Sequence, residues 1–207
     1  MSRNASLTAI ALVCSLKPSP APSSSELLAR QLLDALEARG VSGSSYRVVD
    51  YDVHPGVEKD MGDGDQWPTL RRAVLASDIV IVSTPTWMGQ MSSVAMRVLE
   101  RLDAELSETN DLGQPLTYGK VAAACIVGNE DGAHAISAAP YQGLNDVGFS
   151  IPAGGVTYWN GEAMHTEDYN DLDETPEKTA STTKTLAANA SHLATLLVGN
   201  SYPAIED

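Results

Sequence analysis

Along the chain, short continuous apolar runs alternate with stretches whose apolar residues recur at helical spacing. Leu7–Cys14 (LTAIALVC) is the first run, and its lack of polar alternation suits a strand buried on both faces. A Ser/Pro-rich stretch, Ser15–Ser25, follows. Glu26–Arg39 then reads as a helix with Leu28, Leu32, Ala35 and Leu36 on one face, capped by Ser24 or Ser25 and ended by Gly40. Tyr46–Val53 (YRVVDYDV) predicts a second strand. Pro68 suits the first turn of a helix carrying Leu70, Ala73 and Val74. Ile79–Val82, β-branched throughout, predicts a third strand, and Ser92–Leu102 a helix aligned on Val94, Val98 and Leu102. Val121–Val127 predicts a fourth strand. Ala133–Val147 predicts a helix that Pro140 should kink or split and Gly148 can end. A fifth strand is expected within Phe149–Thr157. Thr175 and Pro176 open a last helix, whose apolar face is Leu186, Ala190, Leu193 and Leu197.

Strands that alternate with helices imply a parallel sheet covered on both faces. The expected fold is α/β: a three-layer sandwich with a five-stranded parallel sheet of order 2-1-3-4-5 and helices on both faces. One domain over residues 1–207 is expected, with an irregular acidic segment at 158–174. Right-handed crossovers place every strand's carboxyl end on one edge. A binding crevice is then expected where the strand order switches, between strands one and three.

Composition narrows the partners. The 207 residues are 43% hydrophobic and 19% charged, which is ordinary for a globular chain, and the formal net charge is -14. No Lys/Arg stripe is present to neutralise phosphates, so nucleic acid and anionic membrane surfaces are poor partners. Cys14 and Cys125 each sit in an apolar run and read as buried, inert thiols. Leu7–Cys14 is too short to span a bilayer and has no cleavage site beside it, so a cytoplasmic location is expected.

The unusual residues fall in the loops after strands one, three and four. Ser15–Ser25 joins a strand to a helix amino terminus, where free amides and the helix dipole favour an anion. Its serine hydroxyls add donors and Lys17 adds charge. It lacks G-x-G-x-x-G and the G-K-[ST] ending, which leaves a monophosphate rather than a dinucleotide or a P-loop ligand. In Thr84–Gln90, Pro85 fixes the backbone, Gly89 allows close approach, and Trp87 and Met88 offer contact to a planar ring. Gly128–His134 supplies two glycines and polar groups suited to ring carbonyls. Taken singly, each loop could be a solvated linker or simple packing. Taken together, they suit FMN, which joins a phosphate to a hydrogen-bonding tricyclic ring.

The serine-rich loop, T-P-T-W-M-G at Thr84–Gly89, G-N-E-D-G-A-H at Gly128–His134 and T-Y-W-N-G-E-A-M at Thr157–Met164 are the residues of a family resemblance. The chain resembles the NAD(P)H-dependent FMN reductases of the flavodoxin-like superfamily, over nearly its whole length. The resemblance implies Ser15, Lys17, Ser23, Ser24 and Ser25 around the FMN phosphate. It implies Pro85, Thr86, Trp87, Met88 and Gly89 along the isoalloxazine. Gly128, Asn129, Glu130, Asp131 and Gly132 would stand at its pyrimidine side. Pro18, Pro20 and Pro22 stand where such phosphate loops carry Arg and Gly.

The implied activity is FMN-dependent transfer of electrons from NADPH or NADH to a small acceptor, such as a quinone, flavin, azo or nitro compound. The implied assembly is a homodimer or homotetramer. Hydride transfer is the cofactor's chemistry, so no catalytic side chain is required, and His134 is the one candidate proton handler. Inward-pointing Glu130 and Asp131 would disfavour an anionic reduced flavin. The acidic segment lacks the ligand order of a cation loop, so no metal is expected. It could form a lid or a subunit contact, with Trp159 shaping the second-substrate pocket. The alternatives are a flavodoxin-type electron carrier without its own turnover, and a module of this shape that holds no flavin.

Overall fold

The computed structural model describes residues 6–162 and 164–203. Its elements run β1 (Thr8–Val13), α1 (Ser24–Glu37), β2 (Ser42–Arg47), α2 (Trp67–Ala76), β3 (Ile79–Trp87), β4 (Gln90–Met91), α3 (Ser93–Leu102), β5 (Val121–Gly128), α4 (Ala133–Asp146), β6 (Val156–Asn160) and α5 (Glu177–Leu197). The sheet order is β2-β1-β3-β5-β6, all parallel, with β4 pairing antiparallel to the end of β3. This is the expected doubly wound order with a short hairpin strand added. Ala163, within the T-Y-W-N-G-E-A-M motif, lies outside the described residues.

Strand alternation explains the three layers. Ala9, Ala11 and Val13 of β1, Ile79 and Ile81 of β3, and Ala123 and Cys125 of β5 share one core with Leu28, Leu32 and Leu36 of α1 and Leu186 and Ala190 of α5. Their neighbours Ile10, Leu12, Val80, Val82 and Ala122 face the other way, onto Trp67 and Leu70 of α2, Val98 and Leu102 of α3, and Leu144 of α4. Strands loaded on both faces cannot alternate apolar with polar, which is why they read as unbroken apolar runs.

Four expectations need correction. The second strand is Ser42–Arg47 (SGSSYR), not Tyr46–Val53. It is a largely exposed edge strand whose ladder to β1 runs from Thr8↔Ser42 to Val13↔Arg47. Val48 and Val53 are buried from a 3-10 turn and the loop after it. The fifth parallel strand is Val156–Asn160, so Tyr158–Asn160 are strand and not irregular. Ser150 makes only an isolated bridge to Val121, and Pro152 and Gly154 (φ +64°) interrupt the pairing until Val156. Pro140 does not split its helix: α4 runs unbroken from Ala133 to Asp146. The proline forfeits a single hydrogen bond, and burial of Ile136 and Leu144 on either side carries the helix through. Finally, α1 starts earlier than expected and is capped by Ser23, whose Oγ accepts from the Glu26 amide at 3.2 Å.

The long loop between β2 and α2 is pinned from α3. The side chains of Arg101 and Asp65 are both shielded from solvent and joined at 2.8 Å. Arg101 also donates to the His54 and Glu58 carbonyls at 2.9 and 2.7 Å. Asp65 accepts further from the amides of Met61, Trp67 and His54 at 2.9, 3.1 and 3.2 Å. Burial pushes the Asp65 carboxyl up, but Arg101 and the three amides together outweigh it and hold the pKa at about 2. Among the described residues, no helix is long and apolar enough to cross a membrane.

Candidate functional site

The carboxyl ends of β1, β3 and β5 open into one cleft of about 410 Å³, within the size range of small-molecule sites. The three loops singled out from the sequence meet there. The cleft wall takes Ser15, Lys17, Ser23, Ser24 and Ser25 from the first, Pro85, Thr86 and Trp87 from the second, and Gly128 and Asn129 from the third.

In the middle of the first loop the amides are already taken. Its Lys17, Ser19 and Ala21 amides are spent on Ser15 Oγ (3.3 Å), Asp50 Oδ1 (2.8 Å) and the Pro18 carbonyl (3.1 Å). Pro18, Pro20 and Pro22 have no amide hydrogen to give. The bond from Ser19 also draws the Asp50 carboxyl below its ordinary value. Ser23 Oγ takes the Glu26 amide, and the Ser23 carbonyl takes that of Leu27 at 3.0 Å. The amides of Ser23, Ser24 and Ser25 are left without an acceptor among the described residues. They stand on the cleft wall at the positive end of α1. Ser83 Oγ fixes that turn to β3 by donating to the Ser25 carbonyl at 2.7 Å.

Arg47, at the carboxyl end of β2, sits beneath this loop and was not anticipated as a site residue. Its Nη1 donates to the Lys17 and Ala21 carbonyls at 3.2 and 2.7 Å, and its Nη2 to Glu26 Oε2 at 2.5 Å. The side chain is 3% exposed. Its Nε is buried without a partner among the described residues.

The second loop is a tight hairpin in which Trp87 pairs with Gln90. Its central residues, Met88 (φ 52°) and Gly89 (φ 69°), both take the positive φ that two-residue hairpin turns demand. The turn leaves Met88 91% exposed, whereas Trp87, 54% exposed, forms part of the cleft wall. Gly128 allows the two strand ends to approach: a Cβ there would lie 2.6 Å from Thr86 Cβ. Thr86 Oγ1 is buried with no partner among the described residues.

Met88, Gly89, Glu130, Asp131, Gly132 and His134 were expected around the ring but are not part of the cleft wall. Most of them join the hairpin to the third loop and α4. Glu130 Oε1 accepts from the Met88 amide at 2.9 Å. A Cβ on Gly132 would come within 3.1 Å of Gly89 Cα. The His134 ring packs edge-on against Tyr158 at 5.2 Å. Asp131 is exposed.

A fourth wall comes from the acidic segment: His165, Thr166, Asp168, Tyr169 and Asn170. Tyr169 is buried, lies 5.5 Å from the Trp159 ring, and donates to Gln31 Oε1 on α1 at 2.7 Å. Burial raises its phenol pKa, while hydrogen bonds to Thr175 and Gln31 oppose the rise. Asn129 Nδ2 donates to the His165 carbonyl at 3.3 Å, closing this wall onto the third loop. Trp159 is itself 9% exposed and reaches the cleft from the core.

The cleft therefore offers anion donors at one end, and Trp87, Pro85, Val127 and Trp159 as an apolar bed beside them. Cys14 and Cys125 take no part. Both are fully buried, and burial pushes their thiols far above the ordinary range.

Comparison with known proteins agrees with this architecture. The chain is 29% identical over 208 residues to the 8-demethyl-8-aminoriboflavin-5'-phosphate synthase of Streptomyces davaonensis, covering 95% of this chain and 80% of that protein. It is 36% identical over 169 residues to the divalent metal cation transporter MntH of Mycobacterium bovis. That match covers 80% of this chain but only 25% of the transporter's length. The crystal structure of RosB with bound 8-demethyl-8-formylriboflavin-5'-phosphate superposes with a TM-score of 0.85 at 29% identity, covering 95% of this chain and 82% of that one. Residues 7–161, from the first strand to just past the last, match the model of the NADPH-dependent FMN reductases, and the chain belongs to that family.

Proposed function

We propose that the cleft binds FMN and that the chain is an NAD(P)H-dependent oxidoreductase, passing electrons from a nicotinamide to a small acceptor such as a quinone, flavin, azo or nitro compound. The observation that carries the reading is the pairing, in one cleft, of three free serine amides at the α1 terminus with a bed containing Trp87 and Trp159. Ser23, Ser24 and Ser25 would hold the phosphate through amides and hydroxyls, with Lys17 adding charge. Pro85, Trp87 and Trp159 would pack against the ring, and Gly128 and Asn129 would approach its polar edge. Bound FMN supplies the two-electron redox chemistry that side chains lack. The His165–Asn170 wall would limit water at the ring, and Asp168 would oppose added negative charge there. Rate enhancement then comes from positioning and electrostatics rather than from a protein nucleophile.

A second reading is that a flavin phosphate is itself turned over in this cleft. It draws support from the 29% identity to a protein named as an aminoriboflavin-phosphate synthase. The test takes the purified protein, records its visible spectrum, adds NADPH without oxygen, then follows steady-state NADPH oxidation with a neutral quinone. Bleaching of a flavin spectrum followed by multiple turnovers supports the oxidoreductase. An electron carrier would barely catalyse turnover. A flavin recovered with altered mass would favour the second reading. A protein that stays colourless after incubation with FMN would sink both.

A further inference from the structure

We propose that Arg47 is a positioning residue for the anion end of the cleft: it shapes the Ser15–Ser25 loop and neutralises Glu26, and so lets the chain prefer a phosphorylated flavin over an unphosphorylated one. This rests on the reading that the cleft holds a flavin phosphate.

The middle of the loop, from Lys17 to Pro22, has no amide left with which to gather its own arms. Three of its residues are prolines without amide hydrogens, and its Lys17, Ser19 and Ala21 amides are already committed. What gathers it is a donor from outside. The two carbonyls that Arg47 takes, those of Lys17 and Ala21, each precede a proline. The guanidinium thus draws the two arms of the loop onto one point, at the end of the strand paired with β1.

Glu26 supplies the second half of the argument. It lies in the first turn of α1, where a carboxylate suits the helix but repels a second anion at the same terminus. The bond from Arg47 Nη2 cancels that charge and leaves the serine amides free. A buried guanidinium with an unpaired Nε is costly to keep, so packing alone is a poor reason for it. Arg47 is not part of the cleft wall, so it acts through the loop and through Glu26.

The test is equilibrium titration of apo-protein with FMN and, separately, with riboflavin, read by flavin fluorescence, with a thermal melt of each apo variant. Wild type should prefer FMN. R47M should weaken FMN binding by about ten- to a hundredfold, the size of one or two charge-assisted hydrogen bonds, and leave riboflavin little changed. Adding E26Q to R47M should recover several-fold of the loss. E26Q alone should leave FMN binding equal or tighter. If R47M does not fold, R47K is compared with R47K/E26Q instead; Lys keeps the charge but not the fork, so an FMN-selective loss that E26Q reduces is again expected. Equal weakening of both flavins, or weaker FMN binding in E26Q, would overturn the proposal. A wild type that binds neither flavin would instead defeat the reading beneath it.

Discussion

Replacing Asp65 with Asn strips the charge from a solvent-shielded pair and leaves Arg101 without its counter-ion. The carboxyl falls from its ordinary 3.8 to about 2 in the folded chain. At ~1.36 kcal/mol per unit, this assigns the ionised form about 2.5 kcal/mol at neutral pH. Removing one partner of a buried pair outright costs about 3 to 5 kcal/mol, and Asn, which keeps an acceptor, should fall near the lower figure. For a chain of this size the loss corresponds to a melting temperature lower by about 6 to 12 °C. The folded pKa lies below the unfolded one. The contribution is therefore complete above about pH 4 and drains away as pH falls through about 2, with about half left at pH 3. Urea unfolding of both proteins at pH 7 and pH 3, followed by circular dichroism, measures the difference directly. An unchanged midpoint at pH 7, or a gap that does not narrow at pH 3, would refute the reasoning.

Further predictions concern the cleft. Gly128→Ala drives a methyl group against Thr86 Cβ, which a β-branched side chain cannot rotate out of the way. It should cost about 1–3 kcal/mol of stability and weaken FMN binding, measured by urea unfolding and by fluorescence titration. Trp87→Ala, at a half-exposed position, should leave the melting temperature within a few degrees while weakening FMN about tenfold, in line with an aromatic contact of ~0.5–1.5 kcal/mol plus lost area. Cys14 and Cys125 should resist a disulfide reagent in the native protein and react once urea unfolds it; fast labelling of the native state would contradict their burial.

Particular residues show what the sequence could and could not convey. Strands β1, β3 and β5 were legible because burial on both faces demands continuous apolar residues. Strand β2 was not, because it lies at a sheet edge and its stability comes from backbone pairing with β1, to which SGSSYR contributes little side-chain signal. The neighbouring β-branched pair Val48 and Val53 misled because a turn can bury valines as well as a strand can. Convergence of the three loops followed from topology alone. Which residue within a loop faces the cleft did not follow, and Glu130 and Gly132 turned out to meet the hairpin instead. The acidic segment read as a lid or a subunit contact; which of its residues reach the cleft did not follow, because Tyr169 is anchored on Gln31, 138 residues away. Arg47 had one available clue: a cation set directly before the apolar pair Val48 and Val49 in an expected strand.

The most direct measurement is a crystal structure of the protein with FMN. The account predicts phosphate oxygens about 3 Å from the Ser24 and Ser25 amides and the tricyclic ring against Trp87. Flavin bound on any other face, or held in this cleft with its phosphate turned away from the start of α1, would contradict it.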